Sequence, residues 1–300
     1  MDDGPDTLRL LHTSDWHLGH TLNEYERDRE HAAFLAWLLD TIEAERIDAL
    51  LIAGDVFETS SPSAKALEQW FRFLGTCSRR FPDLDVIAIG GNHDSAARLD
   101  APNALLEGSR LRVVGGYAGR DKADFVFPIA RGDLRAWVCA VPFLRPADLP
   151  DVSAEDPLIE GVRRVYEGIF DAARAVRGEG EPIIAMGHLY MVGGEISALS
   201  ERKVLGGNQH ALPATIFPND VAYVALGHLH KAQSVGGSPH VRYAGSPLPL
   251  STTEASYTHQ VLSVRIARKG AAHVTPHHVP RTADIVRIPT MGAASPAEVL

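Results

Sequence analysis

Five segments of this 300-residue chain end in side chains that could bind a metal ion or transfer a proton. In chain order they are Asp15-x-His17, Gly54-Asp55, Gly91-Asn92-His93-Asp94, Gly187-His188 and Gly227-His228-x-His230. Each segment alone has a purely structural interpretation: Asp15 could cap a helix, and Gly54-Asp55 could form a plain turn. Five such segments in one chain are much harder to explain in that way. We therefore interpret them together as parts of one site.

The ligand atoms on offer are carboxylate, amide and imidazole groups, with no thiolate. That set suits Mn, Fe, Zn or Co, whereas Mg prefers oxygen ligands and keeps its waters. The candidate ligands, too many for one ion, are Asp15, His17, Asp55, Asn92, His188, His228 and His230. If one carboxylate bridged two ions about 3.5–4 Å apart, the seven candidate ligands could be divided between those two ions. We predict two divalent transition-metal ions, which would lower the pKa of a water and stabilise the oxygens of a phosphoryl displacement.

Short apolar runs precede the five segments and predict the strands that position them. The runs, with their polar ends, cover residues 8–17, 48–57, 85–94, 182–190 and 221–230. Each is bounded by Gly or Pro, which is typical of a strand buried on both faces. Phe34, Leu35, Leu38 and Ile42 have helical spacing between the first two runs, and a second helix follows with Ser61 as its predicted N-cap. The alternation predicts an α/β fold with the five ligand-bearing strand ends at one edge of a mainly parallel sheet.

Three later segments predict strands without long helices between them: LRAWVCAVPFL, HVRYAGSPLPL and HQVLSVRIARKGAAHVTPHHV. We expect them to form a second, more antiparallel sheet stacked on the first. The polar stretch 193–213 predicts a long loop of the kind that is usually functional or mobile. In the run that ends at Gly227, residues two apart share a face of a strand, so His228 and His230 are predicted to point to the same side.

Composition limits the alternatives. The chain is 45% apolar and 22% charged, and it has no apolar run of the roughly 20 residues that a membrane helix needs. Two cysteines without a CxxC pair, and an acidic N-terminus without a signal-peptide pattern, favour a cytoplasmic protein. The formal charge of −9 argues against binding a polyanion through bulk charge. Contact with DNA would therefore need a local basic patch, for which Arg79, Arg80, Arg98, Arg110 and Arg112 are candidates.

The last residues resemble the start of a helix. Ser295, Pro296 and Glu298 form a capping-box pattern, but only two residues follow. We expect a catalytic domain over residues 1–280 and a connector over 281–300 that leads to a truncated C-terminal capping domain. The alternative is a frayed tail.

The five motifs, in this order, resemble the calcineurin-like metallophosphoesterases. The flanking segments narrow the resemblance to the bacterial SbcD-type nuclease subunits: LLHTSDWHLG, AGDVFETSSPS, GNHDSAARL, VPFLRPAD and YVALGHLHKAQ with VRYAGSPLPLS. The resemblance covers about residues 8–255. It implies a four-layer α/β/β/α sandwich of two stacked mixed sheets flanked by helices. It also implies a double-strand 3′–5′ exonuclease and single-strand or hairpin endonuclease that acts with an SbcC-type ATPase in DNA repair, recombination and replication at the nucleoid.

The resemblance also implies a role for each matching residue. One ion, most simply Mn, would bind Asp15, His17, Asp55 and His230, and the other would bind Asp55, Asn92, His188 and His228. Asp55 would bridge them. His93 would orient the phosphate and protonate the leaving 3′ oxygen, with Asp94 orienting His93. Glu58 stands where the family commonly has His or Asp, and we expect it just outside the ligands.

The sequence says less about the residues that would contact the substrate and about the surface that would form a dimer. Arg202 and Lys203, in the loop SERK at residues 200–203, are candidate DNA contacts, although a solvated loop is an equal alternative. The family forms homodimers through helices. Six residues could form that apolar surface or could equally face the core: Trp70, Phe71, Leu74, Leu99, Leu105 and Leu106. Two alternative functions stay open: a phosphodiesterase for small nucleotides or phosphoesters, and a non-catalytic scaffold that binds DNA ends.

Overall fold

Two six-stranded sheets form the centre of the structure, a computed structural model that describes residues 7–197, 211–268, 270–286 and 288–289. The strands are β1 Thr7–Thr13, β2 Thr21–Leu22, β3 Tyr25–Glu26, β4 Ala49–Ala53, β5 Asp85–Ile89, β6 Leu111–Val114, β7 Val126–Arg131, β8 Leu134–Ala140, β9 Ile183–His188, β10 Val221–Gly227, β11 Gln233–Val235, β12 Ser238–Tyr243, β13 Gln260–Ala267 and β14 His273–His278. The helices are α1 Asp28–Ala44, α2 Ala64–Arg80, α3 Ala96–Asp100, α4 Asn103–Leu106 and α5 Pro157–Val176.

The first sheet has the order β14-β13-β1-β4-β5-β6, and the second has the order β11-β12-β10-β9-β8-β7. In the first sheet β1, β4, β5 and β6 are parallel, while β13 and β14 continue it antiparallel to β1. In the second sheet β12, β10, β9 and β8 are parallel, and an antiparallel strand closes each edge. Both sheets are therefore mixed, with their parallel strands in the middle.

Alternating side chains explain why the first sheet is buried on both faces. Leu51 and Ile87 pack into the core between the two sheets, whereas Leu50 and Val86 pack under α1 and α2. On the far side, α5 buries Tyr166, Ile169 and neighbouring residues against the second sheet. The order of layers is helices, sheet, sheet, helix, as the resemblance implies.

The helices begin where their sequences supply caps. The side chain of Ser63, rather than Ser61, caps α2, with its Oγ accepting the Ala66 N–H at 3.2 Å. Asp156 caps α5, and Pro157 occupies its first position. Helix α1 turns Phe34, Leu35, Leu38 and Ile42 into the core as their spacing predicts.

Two expectations about the sheets were wrong. The five ligand-bearing strands are divided between the sheets: β1, β4 and β5 lie in the first, and β9 and β10 lie in the second. The later strands do not form the second sheet by themselves, since β13 and β14 extend the first while β8 and β12 flank β9 and β10. A strand that is apolar on both faces can pair with many neighbouring strands. The pattern therefore predicted that these segments are strands, but it could not predict which sheet each strand joins.

The proposed apolar dimer surface is only partly exposed. Trp70, Leu74 and Leu99 are core residues, each at most 3% exposed. Leu106 packs against the same core. Phe71 is 44% exposed and Leu105 is 87% exposed. Trp70, Leu74 and Leu99 therefore make their contacts inside the hydrophobic core of this chain and are not available for a dimer surface.

Some predictions lie outside the described residues: the loop residues Ser200, Glu201, Arg202 and Lys203, and the capping pattern of Ser295, Pro296 and Glu298. Within the part of the chain that the structure describes, no helix is both long and apolar enough to span a bilayer.

Candidate metal centre

The five predicted segments meet where the carboxyl ends of strands from both sheets converge. The loop after β1 runs beside the loop after β4: Asp15 N–H donates to Gly54 O at 3.0 Å, and His17 N–H donates to Asp55 O at 3.0 Å. The loop after β5 joins them through His93, whose backbone N–H donates to Asp55 Oδ1 at 2.8 Å. Asp55 is thus fixed by loops from three strands of the first sheet.

Glycine allows the second sheet to approach these loops. A Cβ on Gly227 would overlap the carbonyl oxygen of Ala53 and lie 2.9 Å from His188 Nδ1. A Cβ on Gly54, where φ is +91°, would overlap His188 Nδ1 as well. Gly54 and Gly227, which precede Asp55 and His228, therefore create the space in which the His188 ring crosses from one sheet to the other.

The backbone is strained at the ligands themselves. Asp15, His17, Asp55 and His228 have φ values of 54°, 46°, 49° and 103°. Few residues other than glycine adopt this region, and each such conformation costs about 1–3 kcal/mol. This backbone conformation turns the four side chains away from the strand direction and towards one another.

Asp15, His17 and His230 form one half of the site. All three are buried, and their ligand atoms lie within 4.8 Å of one another. Trp16 lies between two of them and packs on Trp70 and Phe73 under the helices, so Asp15 and His17 face the opposite way. A carboxylate contacts Nδ1 of each imidazole: Glu58 Oε2 lies 2.9 Å from His17 Nδ1, and Glu254 Oε1 lies 2.9 Å from His230 Nδ1.

His188, His228 and Asn92 form the other half. Asn92 Oδ1 lies 2.9 Å from His188 Nε2 and 3.1 Å from His228 Nδ1. Asp55 lies between the halves, with the same oxygen, Oδ2, 3.3 Å from His188 Nε2 and 3.6 Å from His17 Nε2. The carboxylate predicted to bridge two ions is therefore placed between two groups of ligands.

Burial lowers the pKa of two of the rings, whereas the Asp55 carboxylate raises the pKa of a third. It lowers the pKa of His17 well below its usual range and that of His228 to about 3, so both rings are neutral, as metal ligands must be. Burial opposes the charge on His188 as well, but the Asp55 carboxylate outweighs it and raises the pKa of His188 to about 9. The Asp55 pKa falls well below its usual range, because the interaction with His188 outweighs the effect of burial.

His93 lies beside the ligands, and its ring is oriented by a carbonyl group. Its Nδ1 is 2.7 Å from the carbonyl oxygen of Glu58, and the ring stacks edge-on against His17 with centroids 4.7 Å apart. Since a carbonyl only accepts, Nδ1 carries a hydrogen and Nε2 is left for other partners. Glu58 thus contacts two neighbours, through its side chain and its carbonyl.

Asp94 has a different position from the one expected. Its carboxylate accepts the backbone N–H groups of Val56, Phe57 and Gly91 at 2.9–3.1 Å. These bonds tie the loop after β4 to the loop after β5. The ring of His93 is oriented by Glu58 instead, so the contacts of Asp94 support the loops around His93 and do not extend to its ring.

His228 and His230 converge on the site, but not for the reason that the sequence suggested. Strand β10 ends at Gly227, so strand alternation does not determine their direction. The left-handed backbone at His228 turns its ring towards His188, with centroids 5.3 Å apart, while His230 approaches His17 at 5.3 Å. Leu229 between them is fully buried in the core.

Three of the candidate DNA contacts that the structure describes, Arg80, Arg98 and Arg110, do not belong to this cluster. Arg98 is exposed on α3, four residues after Asp94. Arg80 pairs with Asp40 and Glu43, and Arg110 pairs with Asp85 at 2.9 Å. Among the other histidines, His12, His31 and His259 are buried, which agrees with a role in packing.

Glu254 was missed by the sequence analysis. It lies 24 positions after His230, in a 3₁₀ turn at Thr252–Glu254, and is fully buried. An acidic residue in a polar segment carries no signal of burial, so only the folded chain reveals its contact with His230.

The residues present fit a pair of divalent ions. His17 Nε2 is buried without a hydrogen-bond partner among the described residues, which is costly unless something else binds it. Three groups could each hold an ion: Asp15, His17 and His230; Asp15, Asp55 and His188; and His17, Glu58 and His93. Their mixture of carboxylate and imidazole suits borderline transition metals.

Comparison with known proteins identifies the family. The sequence matches the calcineurin-like phosphoesterases over residues 8–232, a range that contains every predicted metal ligand. The chain therefore belongs to the calcineurin-like phosphoesterase family.

Within that family it is similar to the SbcD chains of nucleases named SbcCD. The one from Rhodobacter capsulatus is 42% identical over 307 aligned positions, covering 98% of this chain and 74% of that protein. Those from Escherichia coli K12 and Bacillus subtilis are 39% and 35% identical over 85% and 86% of this chain. The chain spans 64% and 66% of the lengths of these two relatives.

A more distant likeness exists to a solved structure. A dimetal phosphatase from Danio rerio superposes with a TM-score of 0.46 at 13% identity, over 89% of this chain and 98% of that chain. A likeness at that level carries no information on substrate.

Proposed function

We propose that this chain is the nuclease subunit of an SbcC–SbcD-type complex, a metal-dependent phosphodiesterase that cleaves DNA. The observation that carries the proposal is the position of Asp55 Oδ2, 3.6 Å from His17 Nε2 and 3.3 Å from His188 Nε2. One buried carboxylate is thus shared by two groups of metal ligands. The similarity to SbcD chains of SbcCD nucleases supports DNA as the substrate and SbcC as the partner, and we propose that the chain acts at the nucleoid.

The ligands divide into two sets that share Asp55. One ion would be held by Asp15, His17, Asp55 and His230, and the other by Asp55, Asn92, His188 and His228. When bound, the ions would polarise the phosphodiester and lower the pKa of the attacking water. We propose Mn(II), which accepts both nitrogen and oxygen ligands as Fe, Zn and Co also do, because the resemblance to SbcD-type nucleases favours it among these metals.

His93 is the proposed general acid. Its Nδ1 is bound to the Glu58 carbonyl, so Nε2 is the nitrogen that can face a phosphodiester beside His17. As the bond between phosphorus and the 3′ oxygen breaks, a protonated Nε2 gives its proton to that oxygen. The hydrogen bond to Glu58 and the edge contact with His17 hold the ring in place for this transfer. Asp94 supports the same geometry from behind by joining the two loops.

A homodimer is part of the proposal. Phe71 on α2 and Leu105 on α4 expose apolar surface, and exposed large apolar residues often mark an interface. Sedimentation analysis of Phe71→Asp and Leu105→Asp variants tests this surface. A wild-type dimer that becomes monomeric in these variants is the expected result.

Cleavage assays separate the proposed nuclease from its alternatives. The purified chain with Mn(II) should cut linear or hairpin DNA, with and without an SbcC-type ATPase. The Asp55→Asn variant, purified identically, shows whether a contaminating nuclease is responsible. Turnover of bis(p-nitrophenyl) phosphate but of no DNA would favour a small-molecule phosphodiesterase. DNA-end binding without any hydrolysis would favour a scaffold.

A further inference from the structure

Glu254 is a fully buried carboxylate that contacts a proposed metal ligand. Its Oε1 lies 2.9 Å from His230 Nδ1, and its Oε2 accepts the Leu250 N–H at 2.7 Å. The Glu254 carbonyl oxygen lies 3.3 Å from His259 Nε2, which is itself buried. Burying a carboxylate is costly unless several donors compensate it. Here the Leu250 N–H and the His230 ring contact the carboxylate itself, whereas His259 contacts only the backbone carbonyl of Glu254.

The contact determines which nitrogen of His230 can bind a metal. An ionised carboxylate only accepts hydrogen bonds, so His230 Nδ1 must carry the hydrogen. Nε2 is then the nitrogen of His230 that can bind a metal ion, and the ligand atoms of Asp15, His17 and His230 lie within 4.8 Å of one another. The same contact fixes the rotation of the ring.

The candidate ligand histidines differ in the group that contacts their Nδ1 atom and so supports the ring. Glu254 supports His230, and the 28% exposed side chain of Glu58 supports His17. A backbone carbonyl, Ala53 O at 2.9 Å, supports His188. Carboxylates therefore support the imidazoles of one half of the site, whereas the supported imidazole of the other half relies on the main chain.

We propose that Glu254 is a positioning residue for His230, and through it for the ion bound by Asp15, His17 and His230. The inference rests on the metal pair of the proposed function. A carboxylate behind a ligand imidazole strengthens the donor and holds its orientation, and loss of such a partner usually weakens metal binding by about 10- to 100-fold. Because His188 has a separate support, the effect is confined to one ion of the pair.

The test is a calorimetric Mn(II) titration of metal-free wild type and Glu254→Gln. Glutamine has the same size but faces two donors with one oxygen and one NH₂, so one of the two contacts is lost. We expect one of two binding steps to weaken by about 10- to 100-fold while the other is unchanged. Glu254→Asp, which keeps the charge but is shorter, serves as a second variant. In a His230→Ala background, Glu254→Gln should have no further effect on metal affinity.

A matched control separates positioning from general stability. His259→Gln disturbs the same turn without removing the carboxylate, so it should lower the thermal stability in EDTA but leave Mn(II) affinity unchanged. Equal losses of affinity in His259→Gln and Glu254→Gln would overturn the proposal. So would two unchanged binding steps in Glu254→Gln beside a wild type that binds two ions. A wild type that binds no Mn(II) would instead overturn the proposed function, and this inference with it.

Discussion

The backbone N–H of His228 lies 3.0 Å and 3.2 Å from the two carboxylate oxygens of Asp15. Asp15 follows the first strand of one sheet, and His228 follows the tenth strand, in the other sheet. The bond therefore joins the two sheets at the site. Any change in the spacing of the sheets at this point moves ligands of both ions.

The Gly227→Ala substitution tests that spacing. The added methyl would overlap Ala53 O, so the sheets must separate. We expect a loss of about 1–3 kcal/mol in unfolding free energy, and weaker binding of both ions. Urea unfolding in EDTA and Mn(II) titration measure the two effects. Gly75→Ala is the control, since its methyl lies in helix α2 and meets only the flexible end of Arg79 at 3.2 Å, and it should not destabilise the protein. Normal stability and metal binding in Gly227→Ala would contradict the close approach.

The His93→Ala substitution separates acid catalysis from metal binding. The contact of His93 with Asp55 uses the backbone N–H, which alanine keeps. We expect Mn(II) content close to wild type and DNA cleavage reduced by about 10²- to 10⁴-fold. Elemental analysis and cleavage assays measure these two quantities. His273→Ala, on an exposed strand, should change neither. Loss of metal in His93→Ala would make His93 a ligand.

The Asp94→Asn substitution tests whether Asp94 acts on the loops. One amide oxygen cannot replace a carboxylate that accepts three backbone N–H groups. We expect a loss of about 1–3 kcal/mol in unfolding free energy in EDTA, together with reduced cleavage. The exposed Asp151→Asn is the matched control. Full stability with an altered pH dependence of cleavage would instead support a direct action on the His93 ring.

The stability of the metal-free protein should fall with falling pH, partly because of His12. This ring is buried between the sheets, bonded to Tyr223 Oη at 2.9 Å and Leu226 O at 3.1 Å, and burial lowers its pKa to about 3. The unfolded chain takes up a proton near pH 6.5 and the folded chain does not. The stabilisation is therefore present above pH 6.5 and is lost as pH falls towards 3.

Urea unfolding in EDTA between pH 7.5 and 5 measures this effect. Replacing His12 with glutamine, which keeps polar groups in place, should reduce the dependence below pH 6.5 by up to about 1.4 kcal/mol per pH unit. An unchanged dependence in His12→Gln would show that this ring does not contribute.

The sequence predicted that the candidate ligands lie together, but it did not predict how the strands that carry them are divided between the two sheets. The candidate ligands lie in one cluster because each is at or just after the end of a strand and these strands end together: Asp15, His17, Asp55, Asn92, His188, His228 and His230. It did not predict that β9 and β10 lie in a different sheet from β1, since their apolar runs match either partner. It also did not predict the contact of Glu254 with His230, because Glu254 lies in a turn between β12 and β13 whose sequence does not signal burial.

The left-handed backbone at Asp15, His17, Asp55 and His228 has a consequence for how such a chain changes over time. Glycine at any of these positions would relax the main chain locally while removing a candidate ligand, so one kind of inactivating substitution would relieve strain. The candidate ligands are thus held on a backbone that costs free energy at four positions, which is a feature of residues that serve a site rather than the stability of the fold.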